Sequence, residues 1–503
     1  MRAADPPDVV LSGASGGVAH ALAAILARAP RRPTLVVHDA RRHRRVSLED
    51  YEAAGGALTL DDVGRDAVDA CVDSINRACG RAVARASTRA GEALDAETIR
   101  ASGARAVALC GAGTLSEACA MAEACKSARD DDDGRGNGAP MFAHARARAT
   151  TGCVFVDAGG AGSKTLYEAL RPSATARLAE TLSASSAGAD AEAKARDELQ
   201  AGLHWEFLRA HPETRPLLGI AGADARKGLP GNGDDDEAPE TASMCGVVAA
   251  VVASKILNHL NASEAVEVVR ECDQWTHVEA LALYKPDRSD SHLAPAPNAS
   301  EYEALPSGDD MDADDARDGD EDCEGFDTHA RLFGYDALAK LREMYVLVCG
   351  TDSLANDACV CALAAVGVGN VDVYGASGSK VFVRRECEVD DLCDLDDLET
   401  YKYHVVVRTS ACAAANEVVA IAREAKSPVI EITSTSVGSC VVDVSLGTDS
   451  SFTRASFSGW MDAPTAYVAA HIAAMEVVRI AQERRRATTI AFDGKGIFTT
   501  ARM

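Results

Sequence analysis

Val9-Val10-Leu11-Ser12-Gly13-Ala14-Ser15-Gly16-Gly17 near the start, and Tyr345-Val346-Leu347-Val348-Cys349-Gly350-Thr351-Asp352-Ser353 far downstream, fix the expected architecture of this chain. Each is a short apolar run that breaks at a glycine turn. After the first, an Ala/Leu-rich run through Arg28 predicts a helix, and Thr34 to His38 a second strand ending at Asp39. After the second, Asn356 to Val366 predicts a helix and Asn370 to Tyr374 a strand. Strand, tight turn, helix and parallel strand within about 30 residues make a βαβ unit. The spacing from turn glycine to the end of the second strand agrees between the two stretches to within one residue.

The correspondence runs on in the same order. Ala106 to Cys110 and His404 to Val407 are unbroken apolar runs, as strands covered on both faces should be. Thr151 to Asp157 parallels Val437 to Asp443. Gly246 to Leu257 parallels Ala466 to Val478, and each reads as a nearly uncharged helix that must be buried. A late strand follows each, at Val278 to Leu283 and at Thr489 to Phe492. Matching events in one order predict a duplicated α/β unit: two Rossmann-like halves packed as an internal pseudo-dimer.

Turn-rich polar segments divide the chain. Asp130 to Gly138 and Gly228 to Glu240 read as loops. The segment 286–325 is dense in Asp, Pro and Ser and reads as a disordered acidic linker. The expected organisation is a first half over 1–170, an irregular insertion over 171–242, the closing helix and strand of the first half over 243–285, the linker, and a second half over 326–503.

Asp and Glu (77) outnumber Lys and Arg (51), for a formal charge of −26. That excess disfavours nucleic-acid backbones and anionic membranes, which both require a basic face. No window reaches the run of about 20 unbroken apolar residues of a membrane span. Met1 to Val10 has no apolar segment of signal-peptide length, so a cytoplasmic or nuclear location is expected. Of the 16 cysteines, Cys110, Cys119, Cys349, Cys359, Cys361 and Cys440 fall within apolar strand and helix patterns, and no Cys-x-x-Cys pair occurs, the usage of buried free thiols in a reducing compartment.

A glycine turn leading into a helix can present backbone N–H groups to a phosphate. It can equally serve only to reverse the chain. Gly13, Gly16 and Gly350 are the candidate phosphate contacts, although neither turn carries a complete Gly-x-Gly-x-x-Gly. Asp352 would place a carboxylate where a phosphate should sit. Asp39 ends the second strand, where an acidic residue holds a ribose hydroxyl in dinucleotide-binding folds; the matching position in the second half is Gly375. Cys440 reads as a core thiol, His404 and His471 as core or cap residues, and Arg484-Arg485-Arg486 as a solvated helix end. No catalytic or metal-ligating set is expected.

Several segments resemble the ubiquitin-activating enzymes, whose two ThiF-like halves form an internal pseudo-dimer. Phe326-Asp327-Thr328-His329-Ala330-Arg331-Leu332-Phe333-Gly334, followed by Leu338-Ala339-Lys340-Leu341, is similar to the opening of that family's second half. Asp273-Gln274-Trp275 through Leu281 is similar to the segment closing the first half, and Gly152 to Gly159 resembles a strand motif within it. Val46 to Asp50 resembles the segment after the second strand. The resemblance implies ATP and magnesium in the second half, adenylation of the C-terminus of ubiquitin or a ubiquitin-like modifier, and transfer to a cysteine. It also implies a modifier, or a modifier-activating subunit, as partner. The implied ribose-binding aspartate falls at Gly375, the phosphate-handling segment near Lys380 to Arg385, and the magnesium-associated aspartate near Cys412. The catalytic-cysteine domain would follow Val442, where only a short segment precedes the final helix. The resemblance therefore implies a degenerate member with weak or no adenylation and no thioester cysteine of its own. A Rossmann-like dinucleotide-binding protein or oxidoreductase is the alternative, with Asp39 as its support; no Tyr-x-x-x-Lys stands near a strand end.

Overall fold

A computed structural model of the chain describes residues 7–14, 16–41, 44–89, 91–110, 115–130, 140–147, 151–158, 240–261, 275–279, 329, 333, 335–376, 383, 386–392, 403–410, 412–436, 439–446, 461–483, 488–492 and 497–501. The expected acidic linker, most of the insertion, the loop after Asp130, Gln274, Lys380, Arg384 to Arg385 and Arg484 to Arg486 lie outside the described residues.

In the first half, β1 (Val9–Ser12), α1 (Gly17–Arg28), β2 (Leu35–His38), α2 (Leu48–Ala54), α3 (Ala67–Cys79), β3 (Ala84–Ala86), α4 (Ala96–Ser102), β4 (Ala106–Cys110), α5 (Leu115–Asp130), β5 (Met141–Ala147), β6 (Thr151–Asp157), α6 (Ala242–Asn261) and β7 (Trp275–Glu279) follow in order. The second contains α7 (Tyr335–Glu343), β8 (Tyr345–Gly350), α8 (Ser353–Ala365), β9 (Asn370–Gly375), β10 (Glu388–Leu392), β11 (Val405–Arg408), α9 (Ala413–Glu424), β12 (Val429–Ser436), β13 (Ser439–Ser445), α10 (Ala463–Ala481), β14 (Thr488–Phe492) and β15 (Ile497–Ala501).

The two sheets share one topology over seven strands, and the second adds an eighth at its antiparallel edge. The first is ordered β3-β2-β1-β4-β5-β6-β7 and the second β10-β9-β8-β11-β12-β13-β14-β15. In each, five strands run parallel in the doubly wound order, and the later strands add antiparallel. The chain is thus an α/β protein of two Rossmann-like halves. The late strand of the first half is Trp275–Glu279, displaced toward the N-terminus from the expected Val278 to Leu283; it pairs Val154 with Thr276 and Gly152 with Val278.

Strand parity explains the layering. Val9 and Leu11 of β1, and Val346 and Val348 of β8, face one continuous apolar cluster that takes residues from both halves. Val10 faces a separate cluster under α4 and α5, and Leu347 and Cys349 face one under α9. Helices α1, α6, α8 and α10 fill the shared layer, with α6 packed on its counterpart α10. This makes the internal pseudo-dimer physical: the halves have one core between them. Helix α6 is long and apolar enough to cross a membrane, although Lys255, Asn258 and His259 interrupt its apolar run. In the fold that apolar surface goes to the shared core, where Ala242 through Ala253, Ile256 and Leu260 are buried.

Polar contacts fasten the same seam. Tyr51 donates its hydroxyl to Glu386 Oε1 at 2.7 Å, and Glu52 Oε1 accepts the backbone N–H of His329 at 3.0 Å and lies 2.9 Å from its Nδ1. Both partners of the Glu52–His329 contact are buried.

Candidate functional site

In each half, the C-terminal ends of the first two strands and the start of the first helix form the place where this architecture can hold a ligand. The structure brings Gly13, Gly16 and Asp39 to this end of the first sheet; Gly350 lies at the corresponding end of the second.

In the first half, Gly13 has φ +89, and a Cβ there would collide with the carbonyl oxygen of Cys110. Only glycine lets the turn cross β4 so closely. The Gly13 N–H donates to His38 O at 3.0 Å and the Gly16 N–H to Gly13 O at 3.1 Å, so the turn is tied to the end of β2. Gly16 caps α1 with no side chain of its own. The position an anion would take is occupied from a distance: the Gly17 N–H donates to Glu240 Oε2 at 2.9 Å, and the Cys245 thiol lies 3.5 Å from the same oxygen. Burial, followed by the Glu240 charge, pushes the Cys245 thiol well up, so it stays a donor.

Asp39 is 4% exposed. Its Oδ1 accepts the Arg41 N–H at 2.9 Å, while Oδ2 is buried and meets no hydrogen-bond partner among the described residues. Asp50 lies close enough to feel it. Burial raises the Asp50 carboxyl, the Asp39 charge adds to that, and Ser47 and Arg44 oppose it.

The second half closes the same place differently. Asp352 caps α8: Oδ1 accepts the N–H groups of Leu354 and Ala355 at 3.1 and 3.2 Å, and Oδ2 accepts the Met461 N–H at 3.3 Å. Gly350 is packed under Thr409 and Ser410, and the Thr351 N–H donates to Ser410 Oγ at 2.8 Å. Buried Asn356 donates to Gly350 O at 3.0 Å and Ala376 O at 2.7 Å while accepting from the Thr409 hydroxyl. Gly375, with φ +113, lies against the carbonyl oxygen of Gly350, so any side chain there would collide with β8.

These residues do not fit a metal-bound triphosphate. The ribose-side position has no room for a carboxylate, the helix N-terminus is already capped by one, and Cys412 accepts the Ala415 N–H at 3.3 Å as the cap of α9. Among the described residues no group of three or more His, Cys, Asp or Glu is placed to hold a metal. Cys440 is fully buried on β13, and burial pushes its thiol up to about 12, far from a nucleophile's range. His404 Nδ1 accepts the Tyr345 N–H at 3.0 Å, and His471 is buried in the shared helical layer.

Glu240, Asn356 and Thr409 define these closed turns and were not singled out in the sequence. Asn356 carried a signal, a polar residue inside an apolar helix. Glu240 carried none, because its partner lies 223 residues away.

No protein-family model matches the chain, and no curated protein sequence matches it. Among solved structures, E. coli MccB with succinimide is 16% identical over 35% of this chain and 69% of its own, at a TM-score of 0.27. E. coli MccB with ATP is 16% identical over 36% and 72%, at 0.27. PaaA is 14% identical over 41% and 80%, at 0.30. Overlaps this small say nothing about what the chain does, and the fold assignment stands on the strand orders.

Proposed function

We propose that this chain is a divergent relative of the ubiquitin-like-modifier-activating enzymes, acting in modifier conjugation as a scaffold with weak or no adenylation of its own. Its partner is a ubiquitin-like modifier or a modifier-activating subunit that supplies the chemistry. The observation that carries the loss of activity is Gly375 lying against Gly350 O, which leaves no place for a ribose-binding carboxylate in the second half. Asp352 adds to it: a capping carboxylate at the α8 N-terminus repels a phosphate at contact distance. The segments around Trp275 and from Phe326 to Leu341 support the family reading. ATP–pyrophosphate exchange by the pure chain with a panel of modifiers tests it. Exchange at background is expected, with a modifier or an activating subunit co-purifying from source cells; robust exchange would sink it.

A second reading, a Rossmann-type dinucleotide binder, is favoured by the unsatisfied Oδ2 of Asp39 beside the Gly13 turn. Thermal stabilisation by NAD without stabilisation by ATP would select it.

A further inference from the structure

We infer that the first half carries a basic rim at the N-terminal edge of its parallel strands, and that the rim docks a short acidic segment of a partner protein. The rim lies at the opposite end of the sheet from the glycine turns and needs neither a nucleotide nor a modifier there.

One row of backbone hydrogen bonds ties the strand starts together. The Leu35 N–H donates to Val83 O at 2.9 Å, the Asp8 N–H to Thr34 O at 3.0 Å, the Arg105 N–H to Asp8 O at 3.0 Å and the Met141 N–H to Arg105 O at 2.9 Å. Arg31 and Arg32 lead into β2, Arg81 leads into β3 and Arg105 into β4, so the row brings them to one edge. Arg77 joins them from the last turn of α3. All five are exposed. Arg32 and Arg81 lie close enough for their charges to act on Cys79, the last residue of α3.

Cations at helix C-termini often serve only the helix dipole, whose effect fades within the last turn. Arg77 occupies such a turn, but Arg31, Arg32, Arg81 and Arg105 lie beyond the helices. Asp8 stands 3.6 Å from Arg31, and among the described residues no carboxylate pairs with Arg32, Arg77, Arg81 or Arg105. Arg32 holds φ +47, a region that favours glycine, so the backbone is strained where it presents this guanidinium. The fold itself does not require the charge. Where Arg81 precedes β3, Glu386 precedes β10 in the second half and Glu388 opens it.

The chemistry of the rim selects its partner. Among the described residues the exposed aromatic side chain is Tyr345, in the other half, so the rim offers nucleobases no stacking platform. The formal charge of −26 on the whole chain repels a long polyanion at range. Exposed guanidiniums at one edge can still meet a few carboxylates in paired hydrogen bonds. A short run of Asp and Glu fits these conditions.

The test uses the full chain, with fluorescently labelled decaglutamate and an oligothymidylate of equal length as probes in anisotropy titrations at low salt. The wild-type chain is expected to bind decaglutamate and to release it as salt screens the rim. Arg32→Glu with Arg81→Glu should weaken binding by about tenfold or more. Arg45→Glu with Arg89→Glu, at exposed positions that follow β2 and β3, changes the net charge equally and should weaken binding by less than about threefold. Equal losses in the two pairs, or no binding by the wild-type chain, overturn the rim; tighter binding of oligothymidylate overturns the acidic segment as its occupant. Should the reversed pair not fold, Arg32→Gln with Arg81→Gln removes charge alone, and an unchanged affinity there overturns the rim equally. None of these outcomes moves pyrophosphate exchange, whose appearance in the wild-type chain is the separate failure of the scaffold reading.

Discussion

Arg28, at the end of α1 in the first half, donates through Nη1 to the hydroxyl of Tyr467 in α10 of the second at 2.9 Å. The bond lies in the helical layer that serves both sheets. Burial pushes the Tyr467 phenol up and the neighbouring guanidinium pulls it back, so the hydroxyl stays neutral and accepts from a cation. Tyr467→Phe removes that acceptor and should cost about 1.5–3 kcal/mol, the range for hydrogen bonds to charged groups. Urea unfolding read by far-UV circular dichroism and by tryptophan fluorescence checks it. Because the halves share one apolar cluster, the two probes should keep coincident midpoints as both move down. Separate transitions for the halves would contradict a common core.

Gly246 and His471 meet where α6 crosses α10, so closely that a Cβ on Gly246 would run into the imidazole. Gly246→Ala is therefore expected to destabilise by about 1–3 kcal/mol through overpacking, against the gain an alanine usually brings to a helix interior. His471→Ala alone opens a cavity and also destabilises. In the double variant the new methyl occupies part of the vacated space, so the combined loss should be smaller than the sum. A double-mutant cycle measured by denaturant midpoint gives the coupling, and strict additivity would show that the contact is not felt.

Three buried histidines make the fold sensitive to acid. Burial lowers His20 and His471 to about 4 and His144 to about 3, with Arg146 adding to the shift at His144. Their ordinary value is 6.5, so between 6.5 and 4 the unfolded chain binds protons that the folded chain refuses. Stability contributed by keeping them neutral is complete above the ordinary value and falls with falling pH. Each pKa unit corresponds to about 1.4 kcal/mol per group. Denaturant midpoints at pH 7 and pH 5 should show a clear loss at pH 5. His144→Phe, which keeps a ring on β5 without a titrating nitrogen, should show a smaller loss than the wild type.

The glycine turns made the duplication readable because a strand feeding a helix through glycine is a local event. The strands missed in sequence show where local reading ends. Met141–Ala147 contains His144 and Arg146 and looks partly polar, yet all seven residues are buried, since β5 is covered on both faces and paired on both edges. Glu388–Leu392 is an edge strand held by parallel pairing to β9, with mostly exposed side chains and almost no apolar pattern. At the candidate site, Asp352 was legible as a carboxylate at the phosphate position because the cap is local. The Glu240–Gly17 contact was not, because only the packing of α6 on α1 brings them together.

Thiol accessibility gives a further expectation. Cys440 is buried and held up to about 12, whereas Cys412 is only partly buried at the cap of α9. Limited alkylation of the native chain followed by peptide mapping should modify Cys412 well before Cys440, because attack needs both access and thiolate. Rapid labelling of Cys440 would reopen it as an acyl acceptor.

The sharpest test of the second half is to place an acid at Gly375, the end of β9. Gly375 sits at φ +113 with its Cα beside Gly350 O, a conformation that L side chains rarely adopt in a space with no room for a Cβ. Gly375→Asp should therefore destabilise by about 1–3 kcal/mol or more without conferring ATP binding. Gly375→Ala should cost nearly as much, because the collision begins at Cβ and owes little to the carboxylate. Thermal melts of both variants with and without ATP separate backbone strain from chemistry. A stable Gly375→Asp that gained ATP-dependent stabilisation would mean the end of β9 has room for an acid after all, and would overturn the steric argument.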